Sequence, residues 1–134
     1  MKSSIDYAIH LRKWRYILIL TADLPYLNKE SFLELINFLS DEMITIIPAP
    51  EKNGQKGTSG LFFSLSKWLK ISLLFGNNSC NRFIEEFLSK NLSYNLYNNI
   101  LGFDLDDKDD LTSYLNSNTE KSFVSEINKV LTQI

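Results

Sequence analysis

The sequence contains a single cysteine, Cys80, and a single histidine, His10, among its 134 residues. One cysteine excludes an internal disulfide and any zinc site built from several thiolates. His10 falls on the polar side of a predicted helix, so no Ser-His-Asp or Cys-His arrangement can be assembled for nucleophilic catalysis. Few cysteines and no disulfide favour a reducing cytoplasm.

The chain also lacks a strong charge excess and a long apolar run. Fourteen basic and 16 acidic residues give a formal net charge of −2, which predicts no attraction to nucleic acid or to an anionic membrane. No apolar run approaches the roughly 20 residues that cross a bilayer, and the first residues do not form a signal-peptide pattern. We therefore expect a cytoplasmic protein that binds neither nucleic acid nor membrane.

Apolar periodicity predicts alternating helices and strands. Helices are predicted over residues 5–14, 28–40, 66–74, 79–90, 108–115 and 122–134, strands over 16–20, 43–47, 61–65, 94–97 and 100–106, and a polar loop over 51–60. Such alternation indicates an α/β fold with a mostly parallel sheet flanked by helices. With 44% hydrophobic residues, the length suits one domain over 1–134.

Asp23 directly follows the predicted strand 16–20. In open α/β sheets, ligands bind outside the carboxyl ends of the strands, so this position suits a functional residue. An aspartate here could equally start a turn through hydrogen bonds to its own backbone. Position alone leaves both interpretations open.

Asp104 and Asp106 lie in a segment whose apolar and polar residues alternate. This period predicts a strand, and two residues of strand rise are about 6.6 Å, so both carboxylates would share one face and could bind a divalent cation. The three aspartates that follow are explained more simply as the cap and first turn of the next helix: Asp107, Asp109 and Asp110.

The stretch 53–60 contains three of the five glycines. Glycines let backbone N–H groups approach an anion, and a hydroxyl such as that of Thr58 together with the Lys56 ammonium could complete such a site. The spacing is not that of a P-loop, and a plain strand connector is the alternative. Gly76 and Ser79 form a similar turn, where Ser79 could cap the next helix or the helix start could hold an anion.

These features occur in a fixed order along the chain. They are Asp23-Leu-Pro with Leu27, then Pro48, Gly57-Thr58, Phe75-Gly76-x-x-Ser79, and Asp104-x-Asp106 before Asp110-Leu111. The ordered set resembles the 2-phospho-L-lactate guanylyltransferases, relatives of the molybdenum-cofactor guanylyltransferases, over residues 5–111. The resemblance implies a Rossmann-like sheet of the nucleotide-diphospho-sugar-transferase type.

The resemblance also implies a reaction and a site. The substrates would be GTP and a phosphorylated small acid (2-phospho-L-lactate, phosphoenolpyruvate or phosphoglycerate) in coenzyme F(420) biosynthesis. Asp23, Asp104 and Asp106 would be the catalytic residues and hold magnesium. The acid would be bound by Thr58, Gly76 and Ser79. An acceptor phosphate oxygen would attack the α-phosphorus of GTP and release pyrophosphate.

The chain departs from the family pattern in three places. It has Ser59 where the family usually has Asn after Gly-Thr, and Cys80 and Arg82 where an aromatic residue and a histidine are usual. Family members begin with a strand and a basic loop for the triphosphate, whereas no glycine precedes Gly54 here. We therefore expect a partial domain that lacks the first βαβ portion, with unknown nucleotide-binding residues. Its activity would be impaired, or would need a homodimer or a partner chain that supplies the missing strands.

Two alternatives stay open at this stage. The chain could be a noncatalytic or degenerate nucleotidyltransferase-like module that acts by associating with a partner. It could instead be a nucleotidyltransferase with a different acceptor, such as a sugar phosphate, because aspartates in these positions are shared widely.

Overall fold

The computed structural model describes Asp6 and residues 14–117. Its elements are β1 (Tyr16–Leu20), α1 (Lys29–Phe38), β2 (Ile44–Lys52), β3 (Gln55–Ser64), a first 3₁₀ helix (Leu65–Lys70), α2 (Ser79–Ser89), β4 (Tyr94–Leu96), a second 3₁₀ helix (Ile100–Gly102) and α3 (Lys108–Ser117). The helices predicted over 5–14 and 122–134 lie outside the described residues, apart from Asp6 and Trp14. Contacts divide the chain into two compact units, Met1–Asp104 and Leu105–Ile134.

The four strands form one sheet in the order β1-β3-β2-β4. β3 is antiparallel to both β1 and β2, while β2 and β4 are parallel. The predicted α/β class is confirmed, but the described sheet is mixed, and its parallel character is confined to the β2–β4 pair. The antiparallel pairings arise because β2 and β3 form a hairpin.

The hairpin turn consists of Asn53 and Gly54. Both residues have positive φ angles, 52° and 73°, which is the conformation of a two-residue turn whose twist matches the flanking strands. The loop predicted over 51–60 is therefore wrong, since β2 extends to Lys52 and β3 begins at Gln55. Gly57 and Thr58 consequently lie within a strand.

Helices pack on both faces of the sheet. Alternate strand residues point to opposite sides, so Ile17 and Ile19 of β1 pack into one core cluster while Leu18 and Leu20 pack into the other. α2 contributes Phe83 and Phe87 to the first cluster, and α1 contributes Leu35 to the second.

The sequence specifies where α1 begins. The Asn28 side chain accepts a hydrogen bond from the Ser31 backbone N–H at 2.9 Å, and the Asn28 backbone N–H donates to Ser31 Oγ at 2.9 Å. This reciprocal cap satisfies donors that the first helical turn leaves open. The helix predicted over 28–40 is confirmed, with Asn28 as its cap and Phe38 as its last residue.

The strand predicted over 100–106 is wrong. Residues Ile100–Gly102 form a 3₁₀ helix that begins where the Asn99 side chain accepts a hydrogen bond from the Leu101 backbone N–H at 3.0 Å. Gly102 then packs so closely on β2 that a Cβ there would lie 2.1 Å from the Pro48 carbonyl oxygen. Local capping and this close approach outweigh the alternating pattern.

β2 extends past its predicted end at Ile47, through Pro48 and Pro50, to Lys52. The β2–β3 register shifts between Ile47 and Pro48 and again before Glu51. A proline is tolerated at such an irregularity because no ladder hydrogen bond is required of its nitrogen. Within residues 14–117, no helix is long and apolar enough to cross a membrane.

Candidate functional site

Asp23 lies just beyond the carboxyl end of β1. The ladder continues one residue past the strand, because the Thr21 backbone N–H donates to the Ser59 carbonyl at 2.9 Å. The chain then turns, with the Leu27 N–H bonded to the Leu24 carbonyl at 3.2 Å. Asp23 is exposed in this turn, so its carboxylate is accessible at the sheet edge, in the position that the sequence predicts.

Two contacts bring the segment that carries Asp104 to the same edge. Ser59, which pairs with Thr21, donates its buried hydroxyl to the Gly102 carbonyl at 2.5 Å. The rings of Tyr26 and Phe103 meet edge to face, with centroids 5.7 Å apart. The segments carrying Asp23 and Asp104 are therefore neighbours. One carboxylate oxygen of Asp104, Oδ1, is buried.

Asp106 lies in the second compact unit, at the start of α3. Its backbone N–H, like that of Asp107, donates to Asp110 Oδ2, at 3.0 and 3.1 Å. Asp107 Oδ1 in turn accepts from the N–H groups of Asp109 and Asp110, which makes it the cap of α3. Because the strand over 100–106 does not form, the argument that Asp104 and Asp106 share one strand face is wrong.

The acidic side chains of the described residues do not form a complete metal site by themselves. Among Asp6 and residues 14–117, no group of three or more His, Cys, Asp or Glu side chains could hold a metal ion. Magnesium, however, is commonly bound by one or two carboxylates, with water and substrate phosphates completing its shell. Asp23 and Asp104 satisfy that smaller donor requirement, so magnesium binding stays a prediction.

Thr58 and Ser79 meet in a buried hydrogen bond. The Ser79 hydroxyl donates to Thr58 Oγ1 at 3.0 Å across 21 residues of sequence. The strand register explains the meeting: Ile47 pairs with Gly60 but Pro48 pairs with Thr58, so Ser59 is an extra residue. Such a bulge re-aims side chains; Thr58 reaches α2 while Ser59 reaches Gly102.

Gly76 shapes the turn before α2. Its φ of 116° favours glycine, and its carbonyl accepts from the Ser79 backbone N–H at 3.1 Å. The capping residue is Asn78, without a side-chain cap bond, and Ser79 is the first residue of the helix. The suggestion that Ser79 caps α2 is therefore wrong, and its hydroxyl is directed to Thr58 instead.

A cleft of about 360 Å³ lies between the β2–β3 hairpin and the second 3₁₀ helix, and neither Thr58 nor Ser79 lines it. It is lined by two runs of chain and one lysine: Pro48–Glu51, Asn98–Ile100 with Gly102 and Phe103, and Lys56. The ammonium that the glycine-rich stretch offers is that of Lys56, and Lys56 lines this cleft. Ser59 stood out in the sequence only as a departure from the family pattern, and its contact with Gly102 depends on the bulge.

Lys56 connects the cleft to the first turn of α2. Its backbone N–H donates to Asn78 Oδ1 at 3.3 Å. Burial raises the pKa of the neighbouring Cys80 thiol, and the positive charge of Lys56 acts in the opposite direction. The Lys56 charge therefore acts on the first turn of α2, where Ser79 contacts Thr58.

Helices on both faces of a mixed sheet, with Asp23 directly beyond the end of β1, define an α/β protein of the kind that binds ligands outside the carboxyl ends of its strands. A family model described as "Guanylyl transferase CofC like" matches residues 2–129, and the chain belongs to that family. Membership implies guanylyltransferase activity in coenzyme F(420) biosynthesis, with GTP and a phosphorylated acid as substrates. No curated protein sequence gave a significant match.

Proposed function

We propose that this chain transfers GMP from GTP to a phosphorylated three-carbon acid: 2-phospho-L-lactate, phosphoenolpyruvate or phosphoglycerate. The observation that carries the proposal is the hydrogen bond between Ser79 and Thr58. The family resemblance assigns both residues to acid binding, and with Gly76 they form one polar corner at the first turn of α2. Hydroxyls and a helix N-terminus together favour an anionic ligand.

The proposed reaction requires no nucleophile from the protein. A phosphate oxygen of the acid forms a bond to the α-phosphorus of GTP while the bond from that phosphorus to the bridging oxygen of the β-phosphate breaks. Pyrophosphate leaves with the bonding electron pair. In this scheme Thr58, Gly76 and Ser79 hold the acid so that its phosphate is positioned for attack, and orientation supplies much of the rate.

Asp23 and Asp104 are the residues we propose to hold magnesium. When bound, the ion would neutralise phosphate charge. Support comes from the two contacts that make the segments of Asp23 and Asp104 neighbours: the Ser59–Gly102 hydrogen bond and the Tyr26–Phe103 ring pair. The accessible Asp23 carboxylate is free to turn towards a ligand at the sheet edge.

Pyrophosphate release tests this proposal. Wild-type protein with GTP, magnesium and one of the three acids is expected to release pyrophosphate only when the acid is present. Asp104→Asn is expected to reduce the rate by about a hundredfold, the usual effect of losing one preorganised electrostatic group. Glu85→Gln, an exposed change on α2, is the matched control and should leave the rate unchanged.

The outcomes separate the alternatives. Release that is unchanged in Asp104→Asn would contradict the role of that residue. Binding of an acid by titration calorimetry without any turnover would favour the noncatalytic module. Release with a sugar phosphate but with none of the acids would favour the other acceptor class.

Association with a second chain is the second candidate, and exposed apolar residues on α1 favour it. Phe32, Leu33 and Ile36 are 39%, 50% and 42% exposed, and among the described strands β1 has a neighbour on one side only. Sheet edges and apolar helix faces both favour association. Light scattering of the purified chain distinguishes a monomer from a homodimer, and Leu33→Lys with Ile36→Lys should shift a dimer towards monomer.

A further inference from the structure

Lys56 is the one cation, and Glu51 the one anion, among the described residues that line the cleft. The two residues are paired across the β2–β3 ladder. Within residues 14–117 and Asp6, no hydrogen bond or ion pair engages the Lys56 ammonium. A lysine without such a partner at the wall of a cleft is available to bind an anionic ligand group.

The position of Lys56 relates the cleft to the acid-binding corner. Lys56 and Thr58 lie two residues apart on β3, with Gly57 between them. The Lys56 backbone is tied to Asn78, which immediately precedes Ser79, and the Lys56 charge acts on Cys80, which immediately follows it. Neither Thr58 nor Ser79 lines the cleft, so Lys56 is the residue through which a ligand at their corner would reach it.

The cleft itself combines one charge with an apolar wall. Pro48, Ala49, Ile100 and Phe103 supply apolar surface beside Lys56. The short carbon chain of a phosphorylated acid needs apolar surface of this kind, and its second anionic group needs a cation.

We propose that Lys56 binds the carboxylate of the acceptor acid and makes the site selective for phosphate esters that also carry a carboxylate. This inference rests on the proposed function, because it concerns the same acceptor. The phosphate of the acid remains at the reacting end, and the carboxylate is bound by Lys56 at the cleft wall. A phosphate ester without a carboxylate would gain nothing from Lys56.

Matched ligands test this selectivity. Isopropyl phosphate is 2-phospholactate with a methyl group in place of the carboxylate, and glycerol 3-phosphate is 3-phosphoglycerate with a hydroxymethyl group there. Titration calorimetry with magnesium present gives the affinity of the full chain for each member of both pairs, and for phosphoenolpyruvate. Wild-type protein is expected to bind the carboxylate-bearing member more tightly.

Three variants assign the preference to Lys56. Lys56→Gln should weaken binding of the carboxylates by about tenfold or more, as expected for a lost charge-assisted hydrogen bond, and leave the carboxylate-free esters unchanged. Lys56→Arg keeps the charge and should keep most of the preference. Lys29→Gln, an exposed change on α1, should match the wild type, and thermal unfolding verifies that each variant is folded.

Two results would overturn the inference, and they differ from failure of the proposed function. Lys56→Gln could weaken both members of each pair equally, which would indicate a general charge effect, or it could weaken neither. In both cases wild-type binding of the acids would leave the proposed function standing. No binding of any acid by the wild type would overturn the proposed function and this inference together.

Discussion

Ser59 and Gly102 together hold the edge of the sheet where the candidate site lies. The Ser59 side chain is fully buried and bonds the Gly102 carbonyl. Removing one partner of a buried hydrogen bond costs about 1–3 kcal/mol. We expect Ser59→Ala to lower the free energy of unfolding by that amount in urea denaturation, while Ser113→Ala, an exposed serine on α3, should change it little. Equal losses of stability in Ser59→Ala and Ser113→Ala would contradict a stabilising hydrogen bond from Ser59 to Gly102.

Gly102 cannot be replaced by a larger residue unless the backbone moves. Because a Cβ would lie 2.1 Å from the Pro48 carbonyl oxygen, Gly102→Ala must push the 3₁₀ helix away from β2. We expect a larger loss of stability than in Ser59→Ala, together with weaker acid binding, since both segments line the cleft. Gly54→Ala is the contrasting change: its Cβ meets nothing within 4 Å, so only its positive φ opposes it. A Gly102→Ala protein as stable as the wild type would contradict the close packing.

Individual site residues could be found in the sequence only in part. The position of Asp23 directly after a predicted strand suggested a functional residue. The structure places Asp23 in an exposed turn at the end of that strand. Thr58 and Ser79 were indicated by resemblance, because nothing in their spacing predicts that residues 21 apart share a hydrogen bond. Ser59 could not be found, since one extra residue in a strand determines which side chain faces which side.

α1 is the element whose stability depends most clearly on local sequence. Its cap uses both side chains and both backbone N–H groups of Asn28 and Ser31. Asn28→Ala should lower the free energy of unfolding by about 1 kcal/mol. Asn37→Ala changes the same residue type in the exposed interior of the helix and should be neutral or slightly stabilising. Circular dichroism during urea unfolding measures the stability of both variants. An unchanged midpoint for Asn28→Ala would contradict the capping role.

Element types were predictable where the local signals agreed. α1, α2 and α3 each combine a start signal with an apolar stripe, and each forms near its predicted position. The segment 51–60 was misassigned because its glycines outweighed the Asn53-Gly54 hairpin signal. The segment 100–106 was misassigned because an alternating pattern does not reveal a cap at Asn99 or contact with Pro48.

At the scale of the whole molecule, the fold brings together residues that are distant in sequence, since Thr58 within β3 contacts Ser79 at the start of α2. α/β class and two-sided packing followed from the alternation of elements and from apolar runs in β1 and β2. The order of the strands in the sheet could not be predicted from the sequence, because antiparallel and parallel neighbours bury the same residues. The mixed sheet is determined by the hairpin and by the chain length between β3 and β4.

Among the described residues, three groups with raised pKa values affect the response of the folded chain to alkaline pH. Burial raises the pKa of Cys80, burial and then the Glu34 charge raise that of Tyr97, and the hydrogen bond to Asp41 is the main cause for Tyr16. Each group loses a proton on ionising. The folded chain therefore keeps these protons at a pH where the unfolded chain has begun to release them, and unfolding becomes more favourable as pH rises.

The ordinary pKa is 9.0 for cysteine and 10.0 for tyrosine. We therefore expect the stability that these groups contribute to be fully present below about pH 9 and to fall above it. Urea midpoints at pH 7.5 and pH 10.5 measure the loss. Cys80→Ala and Tyr97→Phe each remove one titrating group, so each should narrow the difference between the two midpoints, whatever its effect at pH 7.5. Differences that stay as wide as in the wild type would mean that neither buried group resists ionisation, and the packing around α2 and β4 would need another description.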